Sequence, residues 1–338
     1  MVPCWTSSER QSLLSLANKG DTAEGASADR IDQVERADRV CKELAALAVK
    51  ALLDEAALFP KPGLVDPVSQ GAHSDMDFTT LVRSAAALQQ GFYECARIGY
   101  ESASSVHEPA AGLLPQSAAA AVRKRLRATG LALEKAMFAE TRGINTHKGA
   151  IFIFAYLLGA AGQLFCGSAA PRCGLPEVTE ALYARMRVLA AGLVAEDMAG
   201  VSTKQTLTHG ERVFLQYGCK GIRGEVEAGL PLVQRNAAYL AGLTHLTQRE
   251  AYLYTLLRII AENEDTNVLF RAGASALRDL QSRCASIVAS GVTGAALYAA
   301  VESLDDYCIE RHISPGGSAD LFAAALFCRS LSGLAEER

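Results

Sequence analysis

Apolar positions recur along this chain with the period of an α-helix. Leu253, Leu256, Leu257 and Ile260 fall at i, i+3, i+4 and i+7, which puts one stripe against a core. The segment opens on Thr247-Gln-Arg-Glu250, a capping box in which the two side chains take up backbone N–H groups that the first turn leaves without partners. A second helix is predicted over about 37–58, with Leu44, Leu47, Ala48, Ala51 and Leu52 inward. Further helices are predicted over about 78–99, 117–140, 147–166, 175–198, 206–217, 231–241, 270–289, 294–311 and 318–333. Many are rich in Ala, which has the best intrinsic helix propensity. The alternating Val, Ile, Thr and aromatic runs that mark strands are nearly absent. The predicted fold is all-α: one helical domain over 36–338, of roughly ten or more helices, with a site built from loops and helix N-termini. Residues 1–35 are polar and weakly periodic, and are expected to form a disordered or loosely docked extension.

Composition narrows the function. Of 338 residues, 50% are hydrophobic and 21% charged, as in globular domains, so a low-complexity or collagen-like chain is excluded. Lys and Arg number 33 against 37 Asp and Glu, a net charge of −4. No global basic field favours nucleic acid, and any bound anion needs a local cluster of cations. The nine cysteines are scattered, with no CxxC pair and no zinc spacing. The N-terminus shows no secretory pattern, and free thiols suit a reducing cytoplasm. Gly149 to Gly162 carries no charge, but its length of about fourteen residues falls short of the ~20 a spanning helix needs, so it reads as a buried core helix.

Chemistry-bearing residues concentrate between the helices. Segments 59–66 (FPKPGLVD), 71–77 (GAHSDMD), 143–149 (GINTHKG), 218–225 (GCKGIRGE), 265–271 (DTNVLFR) and 314–320 (SPGGSAD) break the Ala/Leu pattern with Gly, Pro, Lys, Arg, His and Asp. Glycines let backbone N–H groups approach an anion, and helix N-termini add partial positive charge. Lys and Arg beside several Asp is the composition of a polyphosphate–Mg²⁺ site. No Gly-rich loop follows a strand, so neither a dinucleotide fold nor a Walker loop is supported.

These segments carry a resemblance. PKPGLVD, GAHSDMD, GINTHKGAIF, YGCKGIRGE, DTNVLFR and SPGGSADL, in that order over about 40–332, resemble the triphosphoribosyl-dephospho-CoA synthase family that serves citrate lyase and malonate decarboxylase. The resemblance implies that ATP and 3′-dephospho-CoA give 2′-(5″-triphosphoribosyl)-3′-dephospho-CoA and adenine, with Mg²⁺ accompanying ATP. The product would pass to an acyl-carrier-protein phosphoribosyl-dephospho-CoA transferase. No membrane or nucleic-acid partner is implied, and a homo-oligomer is left open. Arg142 stands where the family has a small residue, and Ala272, Ala274 and Ala276 replace a glycine-rich run. A Mg²⁺-dependent nucleotide or ADP-ribose hydrolase, and a non-catalytic nucleotide-binding relative, remain the alternatives.

Ribosyl transfer passes through an oxocarbenium-like state, which calls for a carboxylate, a base for the attacking hydroxyl and help for the leaving adenine. Asp75, His73, His147, Glu225 and Asp320 are the catalytic candidates. Lys61, Lys148, Arg223, Arg271, Asn145, Thr146, Asn267, Ser314, Gly316, Gly317 and Ser318 are expected to bind substrate and phosphate. Asp66, Asp75, Asp77, Asp265 and Asp320 are the metal candidates, although Asp66, Asp77 and Asp265 could equally cap turns or helices. Asn145 or Thr146 is expected to cap the apolar helix. Arg223 and Glu225 could instead pair with each other. His107, His209, His245 and His312 lack a motif and read as surface or core residues, and the Tyr and Phe residues as core.

Overall fold

The computed structural model describes residues 23–104, 113–166 and 175–336. Residues 1–22, His107, Cys4 and Cys173 lie outside the described residues. Helices α1 (Ala23–Ala57), α2 (Phe78–Ala87), α3 (Gln89–Ser104), α4 (Gln116–Glu140) and α5 (Lys148–Leu164) form the first half. The second half comprises α6 (Leu175–Ala190), α7 (Leu193–Met198), α8 (His209–Tyr217), α9 (Gly221–Glu227), α10 (Pro231–Gly242), α11 (Gln248–Glu262), α12 (Thr266–Ser290), α13 (Gly294–Glu310) and α14 (Gly316–Glu336). No strand occurs among the described residues.

The apolar segment becomes the central helix. In α5 every residue from Ile153 to Leu164 is buried, as the uncharged run predicts. No helix among the described residues is long and apolar enough to cross a membrane. Around α5 pack α3, α4, α6 and α14, while α1 lies across α3 and α14. The tightest seam is between α3 and α5, and it depends on small residues. A Cβ on Gly162 would sit 2.0 Å from the Ala96 carbonyl oxygen, and one on Gly99 would sit 1.9 Å from that of Gly159. Phe154 fills the space beside this seam, with Phe92 and Phe327 rings at 5.4 and 5.5 Å.

Most elements follow the sequence pattern. Leu253, Leu256, Leu257 and Ile260 are at most 1% exposed, and both arms of the Thr247/Glu250 capping box are present. Three elements differ. Helix α1 begins at Ala23, well before the predicted start near 37, so the helical run takes in residues 23–35. The span 78–99 is two helices, broken at Leu88, whose N–H bonds to Ala85 in a tight final turn. Helix α9 lies inside the glycine-containing stretch that read as a loop.

The loop after α1 is anchored deep in the fold. Lys61 is 0% exposed, and its ammonium donates to the Glu55 carboxylate at 2.6 Å and to the Glu55 carbonyl at 2.8 Å. Gly63, at φ +66°, donates its N–H to Asp305 and passes so close to Ile313 that a Cβ would meet its carbonyl at 2.0 Å. Beneath the loop, Ala56, Val65, Met76 and Leu81 make a small second core.

The α3–α5 seam makes a stability prediction. Gly162→Ala should destabilise the fold by about 2–4 kcal/mol, because backbone and not a flexible side chain must move. Gly130→Ala in α4, where nothing lies within 4 Å of the added methyl, should instead stabilise by about 0.5–1 kcal/mol. Urea unfolding midpoints of the two variants check both signs.

Candidate active site

Five of the helices begin around one space. A cavity of about 540 Å³ is walled by the beginnings of α5, α8, α9, α12 and α14, closed below by Glu55 and Lys61 and flanked by His73. First-turn N–H groups have no intrahelical acceptor and carry the positive end of the helix dipole. Five such ends facing one cavity favour a polyanion before any side chain is counted.

Four cations of the expected set reach the wall: Lys61, Lys148, Arg223 and Arg271. Lys61 is committed to Glu55, as described. Lys148 meets Glu134 of α4 at 3.0 Å and stays half exposed. Arg223 donates to Asp197 at 2.9 Å and lies over the Phe152 ring; its partner is Asp197, not Glu225. Asp197 also takes Arg127, so the acid holds two arginines and orients Arg223 toward the cavity mouth. Arg271 is exposed on the wall, just before Gly273 kinks α12 at φ +81°.

The imidazoles differ in environment. His147 stands at the start of α5, where its Nδ1 meets Ser84 Oγ at 2.8 Å and Ser84 Oγ meets Thr146 Oγ1 at 2.6 Å. Its Nε2 is buried without a partner, and the residue lines the cavity. Burial, helped by the Lys61 charge, lowers its pKa to about 4, so the ring is neutral at physiological pH. Asn145, not Thr146, takes the capping bond, accepting the Lys148 N–H at 3.2 Å. His73 Nε2 meets Ser314 Oγ at 2.8 Å, and burial with nearby Arg271 lowers its pKa.

Of the acidic candidates, Asp320 alone lines the cavity. It accepts the Ala150 N–H at the start of α5, and its Oδ2 packs where a Cβ on Gly149 would be. Enclosure, with Glu55 and Asp265 nearby, raises its pKa well above the usual carboxylate range. The other acids have structural duties. Asp66 Oδ1 accepts the Val68 and Ser69 N–H groups and braces the loop. Asp77 caps α2 by accepting from the Thr80 N–H and hydroxyl. Asp265 caps α12 through Asn267 and Val268, and binds Ser318 twice to tie α12 to α14. Glu225 receives the Leu232 N–H away from the wall, and burial raises its pKa. Asp75 is 60% exposed and stands 3.6 Å from His73 Nδ1, outside the wall. Ser318 is likewise structural, whereas Thr146, Asn267, Ser314, Gly316 and Gly317 line the cavity.

Several wall residues had no motif around them. Glu55 on the wall and Ser84 behind His147 each occupy a core-facing helical position, and a polar residue in an apolar stripe is the signal that could have found them. His209 is exposed, in keeping with a surface reading, but lies on the cavity wall. His245 and His312 are exposed and off the wall. Arg142 adopts φ +56°, which explains why a small residue suits that position. Among the described residues no cluster of three or more His, Cys, Asp or Glu forms a ready metal site.

Comparison with known proteins places the chain in a family. The family model described as ATP:dephospho-CoA triphosphoribosyl transferase matches residues 41–338. A Haemophilus ducreyi protein named 2-(5″-triphosphoribosyl)-3′-dephosphocoenzyme-A synthase is 35% identical over 86% of this chain and 88% of its own length. Proteins of Streptococcus equi subsp. zooepidemicus and Vibrio cholerae, bearing that name with the qualifier "probable", are 37% and 38% identical. These alignments cover 86% and 82% of this chain, and 96% and 84% of those proteins. The chain belongs to the ATP:dephospho-CoA triphosphoribosyl transferase family.

Proposed function

We propose that the cavity transfers the triphosphoribosyl group of ATP to the 2′-hydroxyl of 3′-dephospho-CoA and releases adenine. The observation that carries this reading is the convergence of five helix N-termini with Lys148, Arg223 and Arg271 around an enclosed carboxyl and a neutral imidazole. The triphosphate stays on the sugar and serves as a handle, so the helix N-termini and cations fix C1′ for attack without having to expel phosphate. The bond from C1′ to adenine N9 breaks and the bond from C1′ to the acceptor oxygen forms. The hydroxyl proton is lost and adenine gains one, so the step is proton-neutral.

Asp320, with its raised pKa, is the group that hands a proton to the departing base. When His147 Nδ1 donates to Ser84, Nε2 presents its lone pair to the cavity and can orient the attacking hydroxyl. Glu55 holds Lys61 beneath both, where net charge stays balanced. The donor set fits a Mg²⁺ ion that arrives on the triphosphate and keeps most of its waters, with exposed Glu264 the wall carboxylate able to reach it. Such an ion would neutralise phosphate charge. Asp66 and Asp77 each use Oδ1 for local donors, and Asp265 uses both oxygens, and none of the three lines the cavity.

The seven described cysteines are free, which suits a reducing cytoplasm. The product would be a precursor of an acyl-carrier prosthetic group in a citrate lyase or malonate decarboxylase system. Hydrolysis of a nucleotide would need water in place of the second large substrate, and nothing on the wall favours it.

The direct test mixes purified protein with ATP, Mg²⁺ and 3′-dephospho-CoA and follows products by chromatography and mass spectrometry. Adenine together with a triphosphoribosyl adduct is expected; adenine without adduct would make the protein a hydrolase. Asp320→Asn should lower kcat by about 10²–10⁴-fold with unchanged circular dichroism. The wild-type rate should fall as pH rises through the Asp320 pKa, and the variant should lose that alkaline limb. Asp77→Asn, which keeps a capping side chain, should stay within about 2-fold of wild type.

A further inference from the structure

Adenine is a flat ligand, and the cavity offers few flat surfaces to receive it. Among the described wall residues there is no Tyr or Trp; the flat side chains are Phe138 and the imidazoles of His73, His147 and His209. His73 and His147 hold hydrogen bonds to Ser314 and Ser84, and His147 is buried. His209 is different. It is the first residue of α8, held in place by the two-way capping box between Thr208 and Glu211. One face of its ring lies on Phe270 of α12, with centroids 3.7 Å apart and planes 15° from parallel. Phe270 is itself packed against the main core, so the backing is fixed. With one face covered and the residue still exposed on the wall, the imidazole presents its other face to the cavity.

We propose that His209, backed by Phe270, is the platform on which the adenine base of a substrate stacks. The proposal rests on the transferase reading, in which ATP and dephospho-CoA both carry adenine. The surroundings match such a ligand. Partial burial and the neighbouring Arg212 and Arg271 lower the His209 pKa, which favours the uncharged ring. Arg271, next in sequence to Phe270, stands on the wall where it can meet phosphate attached to the stacked nucleoside. Base–aromatic stacking tolerates replacement of one ring by another, whereas a hydrogen bond does not. That difference separates a platform from a phosphate contact.

Calorimetric titration of the full chain tests it with matched probes: ATP against inorganic tripolyphosphate, and dephospho-CoA against 4′-phosphopantetheine. His209→Ala should weaken one adenine-bearing substrate about 10- to 100-fold. The base-free member of the same pair should bind as it does to wild type. The substrate that weakens identifies the adenine that stacks. His209→Phe should restore most of the loss and His209→Gln should not. Because His209 is exposed, all three variants should fold, with the circular dichroism of the wild type. Equal weakening of the base-free probe, rescue by Gln alone, or unchanged binding of both substrates would overturn the platform. Failure of the wild type to bind either ATP or dephospho-CoA would instead remove the transferase reading, and the platform with it.

Discussion

Each helix that starts at the cavity brings first-turn N–H groups that its own backbone cannot satisfy. The chain meets part of that demand internally. Asn145 takes one donor at α5, Thr208 one at α8 and Asp265 two at α12, while Asp320 accepts the Ala150 N–H. Capping fixes where α5, α8 and α12 begin, and the shared starting point leaves partial positive charge facing one space. The charge of the cavity follows from that arrangement together with the cations on its wall. The packing elsewhere, with the small-residue seam between α3 and α5 at its centre, holds the helix starts in register.

Enclosure then sets the chemistry. In open water Lys61, Glu55 and Asp320 would each carry a solvated charge. Here Lys61 and Glu55 satisfy each other, while Asp320 has no cation bonded to it and its pKa rises. His147 is pushed the other way and stays neutral, with one ring nitrogen held by Ser84 and the other unpartnered. A carboxyl whose pKa is pushed up and an imidazole whose pKa is pushed down, at the same cavity, are complementary groups for a reaction that takes one proton and supplies another.

The amphipathic stripes and the Thr247/Glu250 box were legible because periodicity and capping are local, and the loop segments were legible as a site because they concentrate charge where helices begin. What local sequence could not separate was cap from ligand. Asp66, Asp77 and Asp265 look the same in sequence as Asp320, yet three close on nearby N–H groups and one faces the cavity. Glu55, Ser84 and His209 were hidden for the opposite reason. No glycine-rich motif contains them, and only tertiary packing carries Glu55 and His209 to the wall and Ser84 to His147 behind it.

Hydrogen–deuterium exchange of the first-turn amides, with and without Mg·ATP, tests the central claim most directly. First-turn N–H groups lack intrahelical bonds and exchange quickly unless a ligand accepts them. The account predicts that Mg·ATP slows exchange together at the starts of several of the five helices α5, α8, α9, α12 and α14, with no comparable change at the starts of α10 and α13. Protection confined to one helix start, or spread evenly over starts remote from the cavity, would contradict it.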